Sequence, residues 1–201
     1  MAMTQEKLNE ALLEAAKAGD LLKAHGLIAS GAQIDAPGEW KRRPLHWAAS
    51  NGHLPVVEFL LQNNAQIDSV EWAGMQPLHF AAENGHVPVA ACLLQRGAGI
   101  DRGDFSGRRP LHYAAWKGQF SMVKMLLEMG ADPAARTNAL KPEDGNTPSD
   151  FADRYPEIRQ FLKEWMAPEN AEQRAMAAAA KIMRAHWRRM ARRLPQPGPR
   201  L

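Results

Sequence analysis

Histidine, tyrosine, tryptophan and lysine crowd into residues 108–118, RRPLHYAAWKG, where His112 stands beside Tyr113 and Trp116 precedes Lys117. Such a cluster is either an active site or a structural bracket. Acid–base or nucleophilic work would need a Ser or Cys beside the imidazole and a carboxylate to orient it, and a metal site would need further ligands. No such group recurs beside His112, whereas the histidine itself recurs as His46 and His79, 33 residues apart each time. A histidine copied into the same place of each unit reads as structural. The lone cysteine, Cys92, aligns with Phe59 and Met125 on an apolar helical face and reads as a small buried hydrophobe. No glycine-rich phosphate loop, His-Glu-x-x-His pair or paired carboxylate motif appears. The expectation is a non-enzymatic chain with no catalytic residue, cofactor or metal.

The elements that must position these residues follow from the 33-residue period. Pro44-Leu45-His46-Trp47-Ala48-Ala49 returns as Pro77-Leu78-His79-Phe80-Ala81-Ala82 and as Pro110-Leu111-His112-Tyr113-Ala114-Ala115. Gly19, Gly52, Gly85 and Gly118 form a second series; Gly31, Asn64, Gly97 and Gly130 form a third; Ile34, Ile67 and Ile100, each followed by Asp, form a fourth. Proline at a first helical turn and glycine past a helix end bracket one short helix. In residues 54–63, LPVVEFLLQN, apolar positions recur at helical spacing, giving a second helix, and Asn64 tolerates the positive φ that ends it. The intervening AQIDSVEWAGMQ has turn chemistry and should project as a β-hairpin-like finger. Helix pairs this short bury their apolar faces only against the next pair.

These residues resemble the ankyrin repeat family in the Pro-Leu-His box, the paired alanines, the Asn-Gly-His break and the Gly-Ala-Asp finger. The resemblance implies an all-α ankyrin-repeat solenoid over residues 7–166, in units at 7–38, 40–71, 73–104, 106–138 and 143–166. The first unit, with Ala11-Leu12-Leu13 for Pro-Leu-His, and the last, opened by Thr147-Pro148-Ser149-Asp150-Phe151-Ala152, read as caps. It also implies that His46, His79 and His112 tie one finger to the next. Two departures stand out. Arg43, Gln76 and Arg109 replace the family's threonine, which should loosen a local hydrogen bond, and five extra residues enter the last finger near TNALKPEDG.

If the stack is a frame, function lies in positions that the repeat does not need. Relative to each proline, the fingertip columns are Glu39, Trp72 and Phe105, then Trp40, Ala73 and Ser106, and then Arg42, Met75 and Arg108. The inner face shows Ser50-Asn51, Glu83-Asn84 and Trp116-Lys117. The resemblance places both sets in the concave groove that grips partners. Independently, Trp, Met, Phe and Arg are the types that concentrate binding energy at interfaces. The expected protein-binding residues are Trp40, Arg42, Trp72, Met75, Phe105, Arg108, Trp116 and Lys117, whereas Trp47, Phe80 and Tyr113 belong to the core.

Composition adds a second part. The 201 residues are 45% hydrophobic, enough for a core, and the net charge of +3 divides unevenly. Residues 168–201 hold eight Arg or Lys against two Glu, a balance of +6 that leaves −3 on residues 1–167. Between Pro168 and Pro195 an Ala- and Arg-rich segment should form one helix over about 168–194, with 195–201 a disordered tail. Met176, Ala180, Met183, Trp187, Met190 and Leu194 step by 4, 3, 4, 3 and 4 into an apolar stripe, flanked by arginines such as Arg188 and Arg192. This resembles a degenerate IQ motif with Ile182 and Arg192 as matched anchors, which implies calmodulin or a related light chain as partner of residues 176–194. Docking on the acidic stack competes equally with that partner, and an anionic membrane or nucleic acid ranks below both. The single cysteine, the lack of a leader-like apolar block and the lack of a spanning segment make the cytoplasm, or the nucleus, the expected compartment.

Overall fold

The computed structural model describes residues 3–138 and 145–191, with Ala180 and residues 184–191 as backbone alone. Its α-helices are α1 (Gln5–Ala18), α2 (Leu21–Ala29), α3 (Pro44–Ser50), α4 (Leu54–Gln62), α5 (Pro77–Glu83), α6 (Val87–Gln95), α7 (Pro110–Trp116), α8 (Phe120–Glu128), α9 (Pro148–Phe151), α10 (Pro156–Met166) and α11 (Ala171–Ala191). The odd-numbered helices α1 to α9 stack as an inner layer, and α2, α4, α6, α8 and α10 back them as an outer layer.

The inner helices α3, α5 and α7 begin at the prolines that the sequence marks. Arg43, Gln76 and Arg109 are extended, as the residue before a proline prefers, and Pro44, Pro77 and Pro110 then supply the first turn. Leu45, Leu78 and Leu111 and the paired alanines after them are almost wholly buried, and the alanines let neighbouring inner helices approach closely. Outer helices contribute Val56, Leu60, Val89, Leu93, Met122 and Leu126, and the last unit adds Ile158 and Leu162 to the same core.

The glycine after each inner helix is fixed twice over. Gly52 has φ +76° and Gly85 φ +73°, and a Cβ on Gly52 would lie 2.6 Å from the His86 ring, while one on Gly85 would lie 2.3 Å from the Gln119 side chain. The invading side chains cross-link units: His86 Nε2 meets Ser50 O at 3.0 Å, and Gln119 donates to Glu83 O at 3.2 Å. Asn64, at φ +67°, takes the left-handed place expected of it.

The repeated histidines connect finger to finger. His46 Nδ1 accepts the Arg43 amide at 3.1 Å and its Nε2 reaches Ser69 O at 3.1 Å. His79 does the same between Gln76 N and Arg108 O, and His112 between Arg109 N and Asn146 O. An Nδ1 that accepts an amide leaves the proton on Nε2, so each ring is neutral and donates to the next finger's carbonyl. Burial lowers the pKa of His46 and of His79 to about 4 and lowers that of His112. Phe80, Tyr113 and Phe151 each set an edge against the preceding unit's histidine at ring separations of 5.3–5.8 Å.

The aspartates after Ile34, Ile67 and Ile100 form a further ladder, with Asp35 accepting from Gln66 N, Asp68 from Gly99 N and Asp101 from Asp132 N. Arg43 and Arg109 join it where a threonine was expected: Arg43 reaches Gln66 at 2.7 Å and Asp35 at 3.6 Å, and Arg109 reaches Asp101 and Asp132. The departure from threonine thus exchanges a short local bond for a link between units.

Helix α11 folds back on the outer layer. Ala177 is buried over α8, its carbonyl lying 2.4 Å from where a Gly130 Cβ would stand, so only glycine admits the helix at this distance. Arg174 closes the end of α10 by donating to Trp165 O and Ala167 O, and Lys181 pairs with Asp101. The five-residue insertion lies mostly in 139–144, outside the described residues, as do Arg192, Leu194 and the tail 195–201.

Candidate partner-binding surface

The fingers are built as tight hairpins without strands. Gly38 N donates to Arg42 O, Glu71 N to Met75 O and Asp104 N to Arg108 O at 2.9–3.0 Å, closing each tip over three residues. Neighbouring tips share a single backbone bond apiece: Trp72 N to Trp40 O, Phe105 N to Ala73 O and Asn138 N to Ser106 O. One bond per neighbour is too little ladder for a sheet, so the β-hairpin-like fingers carry no β-strand among the described residues.

Two tips are held by an internal carboxylate. Glu71 Oε1 accepts from Ala73 N and Met75 N, and Asp104 Oδ1 accepts from Ser106 N and Arg108 N. Gly74 and Gly107 complete these tips with φ of +84° and +76°. The first tip has Gly38 in the carboxylate's place, and there Trp40 and Lys41 both adopt left-handed backbone, φ +57° and +58°. Left-handed geometry costs a residue with a Cβ roughly 1–2 kcal/mol, so this tip is strained where its neighbours are relaxed.

The expected aromatics stand outward. Trp40 is 64% exposed, Trp72 66% and Phe105 70%. Trp40 and Trp72 meet edge to face with ring centres 6.3 Å apart, and Phe105 rests on the bare Cα of Gly74. Along the inner layer Trp116 is half exposed, and Lys117 lies over its ring at 4.3 Å while pairing with Glu83 at 3.2 Å. The surface continues past Trp116 into an open recess of about 590 Å³ bordered by Asp150, Asp153 and Arg154.

Beneath the tips runs a row of rings, Trp47, Phe80 and Tyr113, with the third fingertip column inserted between them. The Arg42 guanidinium lies 4.9 Å from the Trp47 ring and 4.6 Å from the Phe80 ring, and Arg108 lies 5.2 Å from Tyr113. Met75 corrects the sequence expectation. It is 8% exposed and packs with Phe80 and Tyr113 in a small cluster, because an apolar side chain in this row fills the gap that Arg42 fills one unit earlier. Trp47 is also corrected, since it is only half buried with Lys17 and Arg42 over its ring. Tyr113 is core as expected, and its hydroxyl donates to Asp104 Oδ2 at 2.7 Å.

Cys92 is buried, and desolvation raises its thiol pKa, which disfavours the nucleophilic thiolate. Among the described residues no group of three or more His, Cys, Asp or Glu side chains is placed to hold a metal ion, and no helix is long and apolar enough to cross a membrane.

On α11, Met176, Ile182 and Met183 are exposed, while Ala177 and Lys181 face the stack. Of the stripe, Met176 and Met183 are the described large side chains, and Met176 borders a recess that it shares with Phe161 and Trp165. Trp187, Arg188 and Met190 lie on the helix, but their side chains are outside the described residues.

Two family models match the chain, ankyrin repeats in many copies over residues 12–61 and ankyrin repeats in three copies over residues 64–137. The chain is an ankyrin-repeat protein. No curated protein matches it. Ankyrin repeats are in general protein–protein interaction modules.

Proposed function

We propose that this ankyrin-repeat protein is a non-enzymatic adaptor. Its concave surface, with Trp40, Arg42, Trp72, Phe105, Arg108, Trp116 and Lys117 as contacts, holds one protein, and the apolar stripe of α11 engages a second. The observation that carries this reading is three consecutive fingertips each holding a large ring about two-thirds exposed. The second partner is a helix-gripping protein such as calmodulin or a related light chain, for which Ile182, Met183, Trp187, Arg188, Met190, Arg192 and Leu194 are the contacts. The alternative is a subunit in which α11 gates the groove and calmodulin withdraws it. The described contacts of α11 are with α8, Gly130, the end of α10, the Pro168–Asn170 turn and Asp101, and not with the fingertip aromatics, which favours the adaptor over the gate.

The test is a pair of substitutions read on two axes. Trp72→Ala should weaken a bound protein partner by more than about 1 kcal/mol with little change in melting temperature, while Phe80→Ala should cost about 3–5 kcal/mol of stability. A large melting shift from Trp72→Ala with unchanged affinity would refute the surface. For α11, calmodulin capture that is equal for wild type and Trp187→Ala, with or without calcium, would remove the second partner.

A further inference from the structure

Arg42 and Arg108 occupy equivalent places in the second and fourth units, yet only one of them is paired. Arg108 stacks on Tyr113, and its Nε donates to Asp104 Oδ2 at 3.0 Å, the carboxylate four residues earlier on the same tip. Arg42 stacks more tightly, between Trp47 and Phe80, but four residues earlier stands Gly38. Its Nε is buried without a hydrogen-bond partner, and among the described residues it makes no ion pair. The Glu71 carboxylate one unit on is turned into its own tip's amides. A guanidinium clamped by two rings has already lost its side-chain freedom, so pairing it costs little further ordering, and its planar fork suits a carboxylate. The strained Trp40–Lys41 turn and the exposed Trp40–Trp72 pair stand on the tips beside it.

We infer that Arg42 is the receptor for a carboxylate of the protein partner, an Asp or Glu side chain in a segment whose neighbouring apolar residues cover Trp40 and Trp72. Asp104 on Arg108 shows, within the same chain, that an arginine in this column takes a carboxylate. The inference rests on the concave surface being the binding surface, and it adds the chemistry of the segment bound there.

A library of random dodecapeptides displayed on phage is selected against the full chain, and the winners are synthesised and titrated against variants. Winners should be enriched in Asp or Glu next to aromatic or aliphatic residues, and Arg42→Gln should weaken them about tenfold or more, with Arg42→Lys intermediate. Gly38→Asp combined with Leu13→Ala, which removes the methyl that a Cβ at Gly38 would meet at 2.6 Å, supplies a competing internal carboxylate. It should weaken the same peptides about tenfold while leaving Arg42 in place. That second variant decides the matter if Arg42→Gln fails to fold. Winners without acidic residues, or equal binding by wild type and the Gly38→Asp variant, would overturn the inference. Acid-free winners still lost on Trp72→Ala would overturn it alone; winners indifferent to both Trp72→Ala and Arg42→Gln, or no winners, would sink the surface reading with it. Self-association of the chain that is abolished by Arg42→Gln would assign the carboxylate to a second copy and likewise overturn it.

Discussion

At the scale of single residues, the repeated histidines show how a side chain suited to catalysis is consumed by architecture. With both ring nitrogens committed and the ring buried, His79 protonates in the folded protein only near pH 4, against 6.5 for an unperturbed histidine. Between those values the unfolded chain binds more protons than the folded one, so the stabilisation is complete above pH 6.5 and drains away as the pH falls toward 4. For His46 and His79 the loss is on the order of 3 kcal/mol each by pH 4. The melting temperature should therefore fall between pH 7 and pH 5, and His79→Gln should melt lower at pH 7 but with a shallower pH slope. Parallel slopes for the two proteins would contradict this account. The structural role of these histidines was legible from their period and their lack of catalytic company. The fate of Met75 was not, because its column reads Arg, Met, Arg, and only the ring spacing beneath it tells which side chain sinks.

At the scale of elements, helix starts and stops were readable because proline and glycine act through local backbone geometry. What the sequence withheld was the second duty of the stop glycines. A left-handed residue is visible in one unit, whereas the His86 ring that needs the vacated Cβ space comes from the next. Gly85→Ala should cost about 2 kcal/mol or more, combining φ +73° with the Gln119 contact. Gly26→Ala, inside α2 with open space around it, should instead stabilise by about 0.5–1 kcal/mol. Urea melts of the two variants give the comparison, and shifts of the same sign would refute it. The aspartate ladder was hidden for a similar reason. Ile-Asp was plain as a landmark, but each carboxylate's acceptor role depends on an amide 31 residues on.

At the scale of the whole molecule, the stack behaves as a chain of nearest neighbours: inner helices contact the inner helices beside them, and outer helices do likewise. The sequence made the stack legible and left the placement of the basic helix open, since a −3 stack and an exposed methionine stripe pull it toward different partners. Over the first half of α11 the structure decides the matter. Ala177 and Lys181 take the docked face, and Met176 and Met183 are exposed. Ending the chain at Ala167 would uncover Trp165 and the Gly130 side of α8, and would remove the Arg174 bonds that close α10. Such a truncation should lower the melting temperature and speed amide exchange in α8 and α10 while leaving α3 to α6 nearly as protected as before. Loss of protection spread evenly over the molecule would argue against neighbour-limited stability.

The bond between Lys181 and Asp101 spans 80 positions in the chain, whereas the Asp101 amide link reaches 31. Asp101 also serves Arg109 and the Asp132 amide, so three ties converge on one carboxylate. Tension applied to the C-terminal end of α11 would be delivered first into that turn of the third unit and only afterwards into the terminal cap. Load would then enter the stack at its middle instead of at its rim.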